Sequence, residues 1–179
     1  PDAIYQFHPG GAGINFAKQY GNAGLGKTVP MLMPGFSMDA RMLTATGDAS
    51  EGFYTTGIWS VAMDNPQTKK FVADFKTAYG RVPTDYAMQA YDTAQWIASG
   101  LKAVGGDLNR GDDFRAALRK IDFESLRGKM ALNNNQHPIQ DLYLMQIVKQ
   151  ADGTLGPKVV RKIVTDDRDS YAAACSLKP

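Results

Sequence analysis

A strand, helix, strand pattern that ends at Pro34 sets the fold class of the first part of this chain. A β-prone run at residues 3–7 is broken by a glycine-rich loop, and apolar residues then recur with helical spacing at Ile14, Ala17 and Tyr20. A second apolar run at residues 29–33 predicts the next strand. Because a helix connects the two strands, they are predicted to be parallel in one sheet of an α/β fold.

The middle of the chain departs from this alternation. After a third predicted strand at residues 52–58, the stretch from Asn65 to Ile121 predicts three helices with no strand between them. The first begins with Asn65 as N-cap and Pro66 at the first helical position. A single doubly wound domain would keep alternating strand and helix, so these helices are predicted to pack on a sheet from elsewhere.

The longest predicted helix begins near Asp85 and carries small and apolar residues on one face. These residues are Ala87, Ala90, Tyr91, Ala94, Ile97, Leu101 and Val104. We expect this face, including Tyr91, to be buried, whereas Tyr86 lies in the first turn, where its ring could close over a ligand.

The last third of the chain predicts strands again. They are expected at residues 128–132, 142–148 and 159–164, and Asp152 with Gly153 forms the turn of a hairpin between the last two.

Composition excludes several classes of protein. Twenty basic and eighteen acidic residues give a net charge of +2, which does not indicate a nucleic-acid partner. The longest apolar runs fall well short of the roughly 20 residues that cross a bilayer.

The chain starts at Pro1 without a signal peptide, and its first predicted strand begins almost at once. This start suggests an interior piece of a longer protein. The single cysteine, Cys175, has no partner within the chain, and a partner in missing sequence is left open.

The glycine-rich loop after the first strand admits three interpretations. It runs from His8 to Gly13 and opens a helix, as in dinucleotide-binding folds. The three-glycine spacing is absent, however, and no acid follows the second strand to hold a ribose, so we predict no cofactor. A plain helix-entry loop remains possible. A ligand-contact loop is favoured, because ligands of open α/β sheets bind outside the carboxyl ends of the strands.

Metal and catalytic motifs are missing from the sequence. The two histidines, His8 and His137, lack the spacing of zinc ligands. The run of asparagines at residues 133–135 lacks the alternating acids of a calcium loop. No serine lies in a glycine-flanked nucleophile elbow. The sequence therefore predicts a protein that is not an enzyme and holds no metal.

A series of short motifs is more informative than any single one. In chain order they are Asp2-Ala3-Ile4, Pro9-Gly10-Gly11, Ala23-Gly24-Leu25, Gly52-Phe53-Tyr54, Tyr79-Gly80-Arg81-Val82-Pro83, Tyr91-Asp92-Thr93-Ala94, Gly105-Gly106-Asp107 and His137-Pro138-Ile139-Gln140-Asp141. This series resembles the type I periplasmic solute-binding proteins of branched-chain amino acid ABC transporters, the leucine/isoleucine/valine-binding family. The resemblance covers nearly the whole chain. The chain would correspond to the carboxyl-terminal portion of a member of this family.

The resemblance implies two Rossmann-like α/β lobes that are joined by three crossovers and close on a ligand like a hinge. By the family pattern, residues 1–57 form a second-lobe βαβ segment and residues 58–141 a first-lobe helical segment. Residues 142–179 cross back and form the second-lobe hairpin and tail. This division would explain the helices without strands, because their sheet would lie in missing sequence. An exposed apolar surface is then expected where the first-lobe strands would pack.

The resemblance also implies a function and a location. The protein would be a non-catalytic, extracytoplasmic binding component whose partners are a small-molecule ligand and an ABC transporter permease. It would reside in the periplasm, or be lipid-anchored outside a Gram-positive cell, and would touch the membrane only through the permease. A ligand-sensing domain of a signalling system is an alternative.

Seven candidate ligand residues follow by position in the family pattern. They are His8, Pro9, Gly10 and Gly11 in the second-lobe contact loop, Gly35 and Phe36 after the second strand, and Tyr86. Gly35 with Phe36 falls where amino-acid-binding members carry an acid that pairs with the ligand's ammonium group, and here that acid is missing.

The missing acid bears on the ligand. An ammonium group buried without a carboxylate partner costs several kcal/mol, so a zwitterionic amino acid is disfavoured. We therefore predict a small hydrophobic or aromatic carboxylic acid, with Phe36 and Tyr86 against its apolar part and the Gly10 and Gly11 amides at its polar end. Asp39 could replace the acid if the loop folds differently, which keeps branched-chain amino acids as the alternative.

Overall fold

A computed structural model describes residues 1–176 of the chain and places them in two compact units. The first unit comprises Pro1–Tyr86 and Leu142–Ile163, and the second comprises Ala87–Asp141 and the residues from Val164 onward. The division into lobe segments at residues 57 and 141 stays a prediction, and the end of its last segment, residues 177–179, lies outside the described residues.

The elements follow the predicted order. They are β1 (Ile4–Tyr5), α1 (Gly11–Asn22), β2 (Met31–Pro34), α2 (Ala40–Thr46), β3 (Tyr54–Gly57), α3 (Pro66–Tyr79), α4 (Asp85–Ala103), α5 (Gly111–Arg119), β4 (Ala131–Leu132), β5 (Pro138–Lys149) and β6 (Leu155–Asp167). The three consecutive helices without an intervening strand are thus confirmed. None of the helices within residues 1–176 is long and apolar enough to cross a bilayer.

The sheet of the first unit contains the predicted parallel strands. β1 pairs with β2 and β2 with β3, both in parallel, and β3 pairs with β5 in antiparallel fashion. The predicted hairpin is also confirmed, since β6 pairs with β5 and the Asp152 carboxylate accepts a hydrogen bond from the Thr154 amide in the turn. Because β1, β2 and β3 run in one direction, their carboxyl ends meet at one edge of the sheet.

Helix α1 packs so closely against the rest of the first unit that two glycines of the helix have no room for a side chain. A β-carbon on Gly13 would lie 1.7 Å from the carbonyl oxygen of His8, and one on Gly21 would lie 2.0 Å from that of Ala49. Between them, Tyr20 is buried and its hydroxyl donates to the carbonyl oxygen of Val29 at 2.6 Å. The loop before α1 is therefore held in place by the helix that it introduces.

Helix α3 begins and ends as its sequence predicts. The Asn65 side chain accepts a hydrogen bond from the Thr68 amide at 2.7 Å, Pro66 occupies the first turn, and Gly80 ends the helix in the left-handed conformation. Trp59 contacts the first turn of this helix, since its indole N–H donates a hydrogen bond to the Thr68 hydroxyl at 3.0 Å.

The predicted buried face of α4 is buried only in part: Val104 is 3% exposed, and Ala87 and Leu101 are half-buried. Ala90 and Ala94 are exposed, and Tyr91 and Ile97 are 40% and 45% exposed. The helix instead buries residues from other positions around its circumference, namely Met88, Asp92 and Gly100.

The side of α4 that carries Asp92 takes part in a hydrogen-bond network within the second unit. The buried Asp92 carboxylate accepts bonds from the Ser125 hydroxyl at 2.5 Å, the Leu126 amide at 2.9 Å and Arg127 Nε at 3.1 Å. The guanidinium of Arg127 also donates to the Gln140 side chain at 3.1 Å. Because an unpaired buried carboxylate is costly, these donors are what allows Asp92 to be buried.

Candidate functional site

The carboxyl-terminal edge of β1, β2 and β3 carries most of the predicted ligand residues. The loop after β1 contains His8, Pro9 and Gly10, and Gly11 is the first residue of α1. Gly35 and Phe36 lie in the short turn after β2. Ligands of open α/β sheets bind at this edge.

Two phenylalanines join the loop after β1 to the turn after β2. The rings of Phe7 and Phe36 meet edge to face with centroids 5.6 Å apart. They remain 55% and 39% exposed, so part of each ring is available for contact. Phe7 was not predicted as a ligand residue. Its place at the end of a β-prone run, directly before the loop, could have indicated it.

The loop after β1 leaves its backbone open. Gly10 has a φ of 73°, a conformation that favours glycine, and no side chain caps α1. A β-carbon on Gly10 or Gly11 would have no heavy atom within 4 Å. The amides of the first turn of a helix attract anions, so this loop is chemically suited to a carboxylate.

The structure brings an unpredicted carboxyl group to Gly35. Asp85 begins α4, and its Oδ2 atom lies 3.5 Å from the position that a β-carbon on residue 35 would occupy. Tyr86 follows in the same turn and is 52% exposed. An acid therefore stands beside Gly35, although it comes from a distant part of the sequence.

Asp39, the residue that the sequence offers as a replacement acid, has another role. Its Oδ1 atom accepts hydrogen bonds from the amides of Arg41 at 2.9 Å and Met42 at 3.0 Å, which makes it the N-cap of α2. Its other oxygen lies 3.7 Å from the Arg41 guanidinium. Asp39 therefore serves as a helix cap and takes its hydrogen bonds from its own helix.

The pKa of the Asp85 carboxyl group is shifted by its surroundings. Burial raises the pKa of Asp85 from 3.8 to about 6, and the negative charge of Asp39 adds to the shift. Between these two values the folded chain binds more protons than the unfolded chain. The stability contributed by this group therefore falls as the pH rises from 3.8 to 6.

Replacing Asp85 with asparagine should raise the free energy of unfolding at pH 7, by about 1–2 kcal/mol once solvent screening of this partly buried group is counted. The gain should shrink as the pH falls below 6 and should vanish well below pH 3.8, where the carboxyl group is neutral in both states. Urea denaturation of both proteins at several pH values measures the difference. The exposed Asp74→Asn is the control, and an Asp85→Asn effect that does not change with pH would contradict the assignment.

A cavity of about 800 Å³ opens beside Gly35 in the first unit. This volume is in the range of small-molecule sites. Its lining combines polar groups with apolar and aromatic side chains, among them Gly35, Thr55, Asp85, Met38, Trp59, Met145 and Arg81. Of the seven predicted ligand residues, Gly35 lines this cavity, and His8, Pro9, Gly10, Gly11, Phe36 and Tyr86 do not.

Metal ligands do not cluster in the part of the chain that the structure describes. Across residues 1–176, no group of three or more histidine, cysteine, aspartate or glutamate side chains is arranged to hold an ion. Cys175 is a free thiol there.

Comparison with known proteins now identifies the family. Residues 1–154 match the family model described as periplasmic binding protein. The chain belongs to this family. The predicted relationship to the type I periplasmic binding proteins, and with it the predicted fold class, is confirmed.

Solved relatives of this periplasmic binding protein superpose closely on it. An ABC transporter solute-binding protein of R. palustris, in complex with benzoate, is 32% identical with a TM-score of 0.86 and is matched over 99% of this chain and 47% of its own. Another, from Rhodopseudomonas palustris BisB5 in complex with 3,4-dihydroxybenzoic acid, is 32% identical with a TM-score of 0.83, over 95% of this chain and 47% of its own.

A curated relative carries the name that the motif series predicts. Leu/Ile/Val-binding protein homolog 6 of Brucella melitensis is 27% identical over 164 residues, which are 88% of this chain and 42% of the relative. The chain thus spans less than half the length of the relatives that it matches.

Proposed function

We propose that this protein is the extracytoplasmic substrate-binding component of an ABC transporter and that it binds a small hydrophobic or aromatic carboxylic acid between two lobes. The observation that carries the proposal is the exposed Phe7 and Phe36 pair at the carboxyl ends of the parallel strands. Exposed aromatic rings at this edge offer a stacking surface for a ring or an apolar chain.

The polar end of the ligand has a matching partner in the same unit. The backbone at Gly10 and Gly11 is open, and the first turn of α1 favours an anion. A carboxylate held there would leave the apolar part of the ligand beside Phe36, one strand away, and Tyr86 offers a further exposed ring. Binding of this kind needs no catalytic group.

The relatives support the transport role and bear on the ligand. Two ABC transporter solute-binding proteins, each 32% identical to this chain, are in complex with benzoate and with 3,4-dihydroxybenzoic acid. A branched-chain amino acid is the alternative. It is favoured by the name of the Brucella relative and by Asp85, whose carboxylate stands where the sequence lacks an acid.

The family also supports a location and a partner. A periplasmic binding protein works outside the cytoplasm, so we place this one in the periplasm, or lipid-anchored on the outer face of a Gram-positive cell. It would deliver its ligand to a permease and approach the membrane only through that partner.

Calorimetry on the full-length protein tests the proposal. We expect benzoate to bind and Phe36→Ala to weaken that binding about tenfold or more, because a ring contact and its buried area are lost. Tyr171→Ala, which removes a 79% exposed ring from the second unit, should have no effect on benzoate binding. Tight binding of leucine or valine with no response to benzoate would refute the proposed ligand class.

A further inference from the structure

Charged side chains from several parts of the first unit line the cavity beside Gly35. They come from α2 and the turns on either side of it, from α3, from the start of α4 and the loop before it, and from the turn of the β5–β6 hairpin. These side chains are Asp39, Arg41, Asp48, Lys76, Arg81, Asp85 and Asp152. Together they set the electrostatic potential that an anionic ligand meets at this edge of the sheet.

Every acid in this cavity wall except Asp85 has a cation close by. The pairs are Asp39 with Arg41 at 3.7 Å, Asp48 with Lys149 at 3.5 Å, and Asp152 with Lys76, whose charge acts on it. The guanidinium of Arg81 lies over the Phe75 ring, 5.1 Å from its centroid.

Asp85 makes no ion pair with any of residues 1–176. Its Oδ2 atom lies 3.5 Å from the β-carbon position on Gly35, and the other atoms closest to that position are the carbonyl oxygen of Thr56 at 3.1 Å and Thr55 Oγ1 at 3.7 Å. A carbonyl oxygen only accepts hydrogen bonds, and a hydroxyl group has one proton to donate. Burial and the negative charge of Asp39 both favour the neutral form of Asp85, which is why its pKa rises to about 6.

A ligand carboxylate at the same sheet edge would lie close enough to interact with this charge. Gly10 and Gly11 follow β1, Gly35 follows β2, and these two strands are hydrogen-bonded neighbours. Because neighbouring strands lie roughly 4.8 Å apart, a carboxylate at Gly10 and Gly11 would be on the order of 5–10 Å from Asp85. Like charges at this separation repel one another within a protein and are not fully screened by salt.

We propose that Asp85 couples ligand binding to proton uptake, so that the protein binds its carboxylate ligand more tightly when Asp85 is protonated. The inference rests on the proposed function, because it assumes that an anionic ligand occupies the strand edge. By linkage, the bound anion raises the proton affinity of Asp85 by the same factor.

The sign of the pH dependence follows from this coupling. At pH 7.5 Asp85 is mostly ionised in the free protein, and the anion has to bind against its charge. At pH 5.5 Asp85 is mostly protonated and the repulsion is gone. Affinity for the anion therefore rises as the pH falls through this range, and it levels off at lower pH, where Asp85 is neutral with and without ligand.

The test measures benzoate binding by calorimetry on the full-length protein at pH 5.5 and pH 7.5, where a simple carboxylate ligand stays ionised. The wild type should bind benzoate about fivefold more tightly at pH 5.5. At pH 6.5, titrations in buffers of different ionisation enthalpy should show uptake of a fraction of a proton for each benzoate bound. Asp85→Asn should bind benzoate equally at both pH values and take up no proton.

Two further variants identify the group that takes the proton. Asp48→Asn changes another aspartate of the cavity wall and should keep the full pH dependence. His8 lies in the loop after β1 and belongs to a residue type that gains charge in this pH range. His8→Gln should keep the ratio of affinities at the two pH values, whatever it does to the affinity itself.

The outcomes distinguish failure of the coupling from failure of the proposed function. If benzoate binds equally at both pH values, or if Asp85→Asn keeps the pH dependence, the proposed function stands and the coupling is refuted. If His8→Gln removes the pH dependence, the proton goes to His8 and the coupling to Asp85 is refuted. If no aromatic acid binds at either pH, the proposed ligand class and the coupling both fail. Benzoate binding by each variant at pH 5.5 reports that its site is folded.

Discussion

Replacing Asp92 with alanine is expected to lower the free energy of unfolding by about 3–5 kcal/mol, the cost of breaking a buried ion pair from one side. The Asp92 side chain is fully buried, and the Arg127 side chain is 12% exposed. The substitution leaves the Arg127 guanidinium without its carboxylate and the Ser125 hydroxyl and Leu126 amide without their acceptor. All these groups lie in the second unit, so we expect the substitution to destabilise that unit.

Chemical denaturation of the full-length protein measures this loss. Asp74→Ala is the matched control, because Asp74 also lies within a helix and pairs with Lys70 but is 64% exposed. Exposed pairs of this kind contribute less than about 1 kcal/mol. Similar losses for the two variants would show that Asp92 does not organise the second unit.

Replacing Gly21 with alanine is expected to cost about 3 kcal/mol, although alanine is the better helix former. The new β-carbon would lie 2.0 Å from the carbonyl oxygen of Ala49 and 2.7 Å from its carbonyl carbon. Backbone atoms cannot rotate away as a side chain does. Either α1 or the turn at Gly47–Ser50 must therefore move, which would disturb the core around Tyr20.

Gly11→Ala provides the control in the same helix. No heavy atom lies within 4 Å of its β-carbon position, so this substitution should be neutral or should stabilise the fold by about 0.5–1 kcal/mol. Thermal unfolding of the two variants separates the effects of packing and helix propensity. If Gly21→Ala is as stable as Gly11→Ala, close packing of α1 on the Ala49 turn is refuted.

Local sequence patterns predicted the elements of the fold well. The βαβ unit, the three consecutive helices and the final hairpin all follow from spacing and from capping residues that act within one turn, such as Asn65 and Gly80. Capping depends on the free N–H and C=O groups of the helix itself, so it is visible without knowledge of the rest of the chain.

Contacts between distant residues escaped prediction. The apolar pattern of α4 predicted a buried Tyr91, which is 40% exposed. The pattern gave no sign that Asp92 is buried, because its partners at residues 125–127 are far away in sequence. The sequence also indicated that no acid lies at the carboxyl-terminal edge of β1, β2 and β3, because the acid found there comes from a distant part of the chain. Asp85 is separated from Gly35 by one strand and two helices along the chain, so the sequence alone does not show that they lie side by side.

The pairing of β3 with β5 also has a consequence for how the chain is made. Thr55 is paired with Met145, so β3 leaves the ribosome long before the strand that covers its edge has been synthesised. In the interval β3 presents unpaired amide and carbonyl groups, which are a template for pairing with other chains. Closing so long a loop is slow, so the first unit is expected to mature late and to depend on protection of the β3 edge during synthesis.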